Sequence, residues 1–186
     1  MAKLNPIETA RLRLDPWTLE DEVDFGFIAS DPEVRRWRQS DETHGLNEEK
    51  FESWLEEIDG LPLGLGRWAI RDEIGNVIGD VALKPYAEDH QQVEIQCSVR
   101  SEFCGHGFAT EAMSAILRYG TELMGLPEVI ALTDLEDSRS IHLARKLGFK
   151  PGSVVNHGQR SSRIYAYVVP EPPDPWEPVA TESPFP

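Results

Sequence analysis

The run Cys104-Gly105-His106-Gly107-Phe108-Ala109-Thr110 puts small residues where an alternating apolar segment, Val93 to Val99, gives way to apolar residues at helical spacing. A strand that turns into a helix exposes several backbone N–H groups at the helix N-terminus. Those donors, with the helix dipole, suit a pyrophosphate. Glycine at 105 and 107 lets a ligand come close where a Cβ would stand in the way. The spacing also fits an ordinary tight turn. It is not a P-loop, because no Gly-Lys-Ser/Thr follows, and it lacks the third glycine of a dinucleotide fingerprint. None of His44, His90, His106, His142 and His157 pairs with another ligand type at i, i+4 on one face, so no metal site is expected. Cys97 and Cys104 have neither zinc spacing nor a Cys-His-Asp set. They read as buried or loop thiols, with no disulfide framework.

The elements that must position this loop follow from periodicity. Residues 7–14 alternate around Leu12 and Leu14, which predicts one half-buried strand with Arg11 and Arg13 between the apolar positions. Thr18, with Asp21 three residues on, fits a helix N-cap, and Leu19, Val23, Phe25 and Phe27 follow in a short helix. Asp31-Pro32-Glu33 starts a second helix, with Pro where no donor is needed. Asn47 is expected to cap a third, with Phe51, Trp54, Leu55 and Ile58 on its apolar face. Residues 67–71 and 77–83 flank Glu73-Ile74-Gly75-Asn76 as a hairpin. A strand over 93–99, a loop over 100–106 and a long helix over 107–124 come next. Then follow a strand at 129–133, a helix at 138–147 stopped by Gly148, and strands at 149–155 and 163–169. The order predicts a mixed α/β domain, a sheet of about seven strands flanked by helices.

Composition narrows the function. The 186 residues suffice for one domain, and 40% hydrophobic with 27% charged residues describes an ordinary soluble globule. A formal net charge of −15 argues against a nucleic-acid binder and favours cationic partners such as amines or basic peptides. No stretch reaches the ~20 apolar residues of a membrane span. Met1 to Pro6 has no apolar core of a secretory signal, so no membrane partner and a cytoplasmic location are expected. The final 17 residues hold seven of the fourteen prolines, together with Glu171, Asp174, Glu177 and Glu182. Residues 170–186 are therefore expected to be a disordered acidic tail behind a single domain at 1–169.

Taken together, these segments resemble the GNAT superfamily of acetyl-CoA-dependent N-acetyltransferases, over about residues 9–168. Thr9-Ala10-Arg11-Leu12-Arg13-Leu14 with Thr18-Leu19-Glu20-Asp21 is similar to the opening of its RimJ/RimL-like branch, the ribosomal-protein N-terminal acetyltransferase type. Gly75-Asn76-Val77-Ile78-Gly79 is similar to that branch's central hairpin. Glu94-Ile95 leading to Gly105 through Ala112 resembles its coenzyme motif, and Ser140 through Phe149 resembles its second coenzyme helix.

The resemblance implies that backbone amides of Cys104, Gly105, His106, Gly107, Phe108, Ala109 and Thr110 hold the coenzyme A pyrophosphate. Backbone groups of Cys97, Ser98 and Val99 would pair with the pantetheine arm, and an amide there would polarise the thioester carbonyl. It implies Glu94 as the base that takes the amine proton and Ser140 as the acid for the departing thiolate. Each residue also has a plain structural reading, as a strand carboxylate and a helix-start hydroxyl. Tyr165 and Tyr86 are weaker acid candidates. Arg139, Arg145 and Lys146 would steer the phosphates or simply form a solvated helix face, and Trp37, Trp54 and Trp68 would be core or acceptor-cleft wall. Two positions depart from the pattern. Cys104 stands where many relatives have Gln or Arg, and Asp137 where this branch has Asn. Asp accepts hydrogen bonds but donates none, and it fills a helix N-cap well.

The expected activity is direct transfer of an acetyl group from acetyl-CoA to a primary amine, with a protein or peptide α-amine favoured. Two alternatives stay open: a small amine acceptor (polyamine, antibiotic or amino-acid derivative), and a catalytically weak acyl-CoA-binding module. A homodimer is compatible with the family.

Overall fold

The computed structural model describes residues 4–37, 48–86, 89, 91–157 and 160–170. The expected tail at 170–186, apart from Pro170, and the expected cap Asn47 lie outside these residues. The opening segment is two strands, not one. β1 (Ile7–Glu8) and β2 (Arg13–Pro16) pair antiparallel, with Ile7 opposite Leu14. Thr9 reverses the chain between them: its N–H donates to the Leu12 carbonyl, and Leu12 N–H returns to Thr9 Oγ1. Local hydroxyl-to-backbone bonds of this kind compete with strand pairing, and periodicity does not reveal them.

Three helices follow: α1 (Glu22–Ser30), α2 (Pro32–Trp37) and α3 (Glu48–Asp59). Asp21 takes hydrogen bonds from both the N–H and the hydroxyl of Thr18, so the expected N-cap pair forms. Asp31 caps α2 by accepting from Glu33 N–H and Val34 N–H. Next come β3 (Gly66–Arg71), β4 (Val77–Pro85) and β5 (Val93–Val99). α4 (Phe108–Arg118) continues through a π turn over Tyr119–Leu123. β6 (Glu128–Asp134), α5 (Ser138–Lys146), β7 (Lys150–His157) and β8 (Arg160–Val168) complete the fold. The sheet has eight strands in the order β1-β2-β3-β4-β5-β6-β8-β7, against about seven expected; the extra one comes from the split at Thr9.

Strand register sorts the sheet into two working faces. Gly79 opposite Val99, Val81 opposite Cys97 and Leu83 opposite Ile95 define one face, against which α4 packs Ala112 and Ile116. Asp80 opposite Ser98, Ala82 opposite Gln96 and Lys84 opposite Glu94 define the other, the face of Arg67 and Ala69. Here Trp17, just after β2, packs with Phe25 of α1 and with Phe51 and Trp54 of α3, with ring centroids 4.3 to 6.4 Å apart. Aromatic pairs at such spacing add about 0.5–1.5 kcal/mol each beyond the area they bury. A Cβ built at Gly79 would collide with the Ser98 carbonyl, so glycine there permits the close approach of β4 and β5.

All neighbouring strands are antiparallel except β5 and β6. Those two are parallel and share a single register pair, Glu94 with Ile130. β5 stays paired to β4 along its whole length and β6 stays paired to β8, so the sheet opens into a wedge beyond Glu94.

Candidate active site

The wedge is a cleft of about 1180 Å³. One wall is the end of β5, including Cys97, Ser98 and Val99, and the loop into α4; the other is the end of β6 and the start of α5. Gly105 and Gly107 have φ of +82° and +83°. A Cβ at Gly105 meets nothing within 4 Å, and one at Gly107 meets only Arg11 Nη2 at 3.5 Å. Within the protein, glycine is therefore needed for the sign of φ and not for crowding, a reason that adds to the ligand approach expected from the sequence. The N–H groups of the first turn of α4 have no carbonyl below them in the helix, and Gly107, Phe108, Ala109 and Thr110 line the cleft.

A brace from the opposite end of the chain holds this loop. Arg11 Nε donates to Glu111 Oε2 at 2.8 Å, and its Nη1 donates to the His106 carbonyl at 3.0 Å. The Arg11 guanidinium also lies 4.7 Å from the Phe108 ring centre. Thr9 Oγ1 and Arg11 N–H both donate to Glu111 Oε1. Burial pushes the Glu111 carboxyl up, but these donors more than offset it and hold the group below its ordinary value. Periodicity placed Arg11 simply on the open side of a strand. Its partner is 100 residues away, and no local signal in the sequence connects them.

The other expected coenzyme residues divide. The His106 carbonyl is tied to Arg11 and its ring stacks on Phe108, so its side chain serves the loop and does not line the cleft. Of the three expected cations, Arg139 and Lys146 reach the cleft on one face of α5, with His142 between them. Arg145 is not among the cleft-lining residues. The helix turns about 100° per residue, which carries it round to another face. Arg139 also lies 3.7 Å from Glu33 of α2, across the mouth of the cleft. Asp137 is a helix N-cap: its Oδ1 accepts from Arg139 N–H and Ser140 N–H at 3.1 Å. Its Oδ2 accepts the Ser140 hydroxyl proton at 2.6 Å. Ser140 therefore presents lone pairs to the cleft, and to protonate a thiolate it must first leave Asp137.

Thr133 of β6 lines the same cleft and is buried. Among the described residues its Oγ1 has no hydrogen-bond partner. An unmade bond of this kind costs about 1–3 kcal/mol. Thr133→Val is expected to raise the melting temperature by a few degrees and to weaken acetyl-CoA binding several-fold. A stability gain with unchanged affinity in a calorimetric titration would show a packing defect with no link to the ligand.

Away from the glycine loop the cleft is walled by Val34 and Trp37 of α2, with Lys84, Tyr86, Glu94 and Gln96 from the sheet. Glu94 sits at the apex of the wedge, 6% exposed. Tyr165 is buried in the main core and does not line the cleft, whereas Tyr86 does. Trp54 and Trp68 are core. Burial pushes the Cys97 thiol well above its ordinary value, and Cys104 is raised as well, so neither is poised as a thiolate nucleophile. Among the described residues no group of three His, Cys, Asp or Glu is placed to hold a metal, and no helix is long and apolar enough to cross a membrane.

A strand pair that opens beside a glycine-containing loop and a helix N-terminus offers one edge to an extended arm and one end to a phosphate. Residues 11–150 match the family model described as an acetyltransferase (GNAT) domain. The chain belongs to the GNAT acetyltransferases. It is 26% identical over 176 residues to the uncharacterized N-acetyltransferase YoaA of Bacillus subtilis, covering 88% of this chain and 97% of that one. It is 31% identical over 83 residues to the spermidine N(1)-acetyltransferase of Escherichia coli K12, 45% of each chain. The spermidine N-acetyltransferase of Vibrio cholerae, solved with CoA and spermine, superposes with a TM-score of 0.73 at 17% identity over 86% of this chain and 96% of that one. As a GNAT enzyme, the protein is an acetyltransferase whose donor is acetyl-CoA, and the cleft described above suits that donor.

Proposed function

We propose that the protein transfers an acetyl group from acetyl-CoA to the α-amine of a peptide or protein, as a member of the RimJ/RimL-like branch. The observation that carries this reading is the position of Glu94, at the point where the coenzyme wedge meets the acceptor face. The amine nitrogen attacks the thioester carbon, an amide in the Cys97 to Val99 region steadies the oxyanion, and the carbon–sulfur bond breaks. Glu94 takes the proton from nitrogen, directly or through one water. The thiolate takes its proton from Ser140, once that hydroxyl has turned from Asp137, or from solvent. The pyrophosphate lies on the N–H groups from Gly105 to Thr110, since Cys104 N–H already donates to the Ser101 carbonyl, with Asp137 fixing the start of α5 and Arg145 outside this contact.

At pH 7 about one α-amine in ten is uncharged, but only about one lysine in a few thousand. A single carboxylate is base enough for the first. Lys84, across the strands from Glu94, supports a peptide acceptor: its ammonium can donate to a peptide carbonyl but repels a polycation. The match to a spermidine acetyltransferase favours a second reading, a small polyamine acceptor. A panel of basic peptides with free or blocked N-termini, plus spermidine, assayed by thiol release, separates them. Turnover of free but not blocked peptides is the expected result. Turnover of spermidine alone replaces this reading with the second.

A further inference from the structure

We infer that Gln96 is a positioning residue for Glu94, held in turn by a buried Arg67–Asp80 pair. This rests on the reading of Glu94 as the base. Four hydrogen bonds form a line beneath the acceptor-side helices. Trp17 Nε1 donates to Asp80 Oδ2 at 3.0 Å, and Arg67 Nη1 donates to Asp80 Oδ1 at 2.9 Å. Arg67 Nη2 donates to Gln96 Oε1 at 2.9 Å, and Gln96 Nε2 donates to Glu94 Oε1 at 2.9 Å. The Arg67 and Asp80 side chains are 6% and 2% exposed.

The direction of this line is fixed by chemistry. A guanidinium has donors only, so the amide oxygen of Gln96 must face Arg67. Its NH₂ is left to face Glu94, and it can only donate to a carboxylate. Flipping the amide would break both bonds and set like against like. The buried ion pair therefore determines, through one amide, which oxygen of Glu94 is held and how its side chain is turned. A glutamate has three rotatable bonds, and a base acts only within hydrogen-bond reach of the proton it removes. The far end of the line is anchored in the aromatic cluster, since Trp17 belongs to it and the Arg67 guanidinium lies 5.5 Å from the Trp54 ring centre. The packing of α1 and α3 and the orientation of Glu94 thus share one set of bonds.

Arg67→Met would strand Asp80 as an unpaired buried charge, so Gln96 is the position to vary. Gln96→Met removes both bonds with little change of volume. Gln96→Glu keeps an acceptor for Arg67, loses the donor to Glu94 and sets a second carboxyl against it, so it is the harsher of the two. Both variants are expected to lower kcat about 10-fold or more with acetyl-CoA affinity unchanged by calorimetric titration. In a Glu94→Gln background, Gln96→Met should lower kcat no further, because the group it positions is gone. Two results would overturn the inference. One is wild-type kcat in Gln96→Glu, which would make Gln96 only a partner for Arg67. The other is a loss that adds in full to that of Glu94→Gln. If Glu94→Gln itself keeps wild-type kcat, the base reading fails and takes this inference with it. If Glu94→Gln is impaired and Gln96→Glu is not, only the inference fails.

Discussion

Gly107→Glu is expected to abolish acetyl-CoA binding, with an affinity loss of 100-fold or more in a calorimetric titration of acetyl-CoA and free CoA. Two effects add. Gly107 has a φ of +83°, where an L-residue costs about 1–2 kcal/mol. The new carboxylate also sits at the first turn of α4, where the donor's pyrophosphate would lie, and like charges in a partly enclosed site repel strongly. Steric exclusion within the protein plays no part, since the nearest atom to a Cβ here is Arg11 Nη2 at 3.5 Å. Arg11 matters in another way: a carboxylate at 107 can draw it from Glu111 and loosen the brace on the loop. Gly107→Ala separates the contributions, because it carries the backbone strain without the charge and should lose only about 10-fold. Thermal melts of both variants serve as the control that each is folded. Micromolar binding of acetyl-CoA to folded Gly107→Glu would mean that the pyrophosphate does not lie on this loop.

Glu94→Gln is expected to lower kcat about 100-fold while leaving acetyl-CoA affinity within 2-fold, the range for removal of a general base. The substitution keeps the shape of a buried side chain and removes its charge, so packing at the wedge apex is preserved. The loss should be larger for an acceptor of higher pKa, because more of its barrier is deprotonation. Steady-state kinetics on a peptide α-amine and on a lysine side-chain amine, followed by thiol release, give both numbers. A kcat within 2-fold of wild type on either acceptor would leave Glu94 as a strand carboxylate. The proton would then go straight to solvent, and the acceptor would have to bind already neutral.

The local elements of this protein were legible because each is written in neighbouring residues. Alternation at Val93, Ile95, Cys97 and Val99 marks β5, and 3–4 spacing at Ala112, Ala115 and Ile116 marks α4. Asp31 before Pro32, and Asp137 before Ser138, read correctly as helix starts, and the structure makes both of them caps. The glycine loop was legible as a turn, and its resemblance to a coenzyme motif pointed to the family to which the chain belongs. The split of the first strand was hidden, because the bonds that Thr9 makes to Leu12 are a choice between two local partners that alternation cannot weigh.

What only the tertiary structure decided are relations between distant segments. The sequence contains Arg11 and Glu111 but nothing that joins them, and the brace exists because the β1–β2 turn folds over the start of α4. It contains Arg67, Asp80 and Gln96, three polar residues on three strands, and only strand register puts them in one line ending at Glu94. The same holds for α5. The family resemblance offered Arg139, Arg145 and Lys146 alike, but the rotation of the helix against β6 turns only the first and last into the cleft. Propensity and periodicity act over one or two turns of chain and determine elements. The wedge arises because β5 follows β4 while β6 follows β8, a competition of pairings that no single segment encodes.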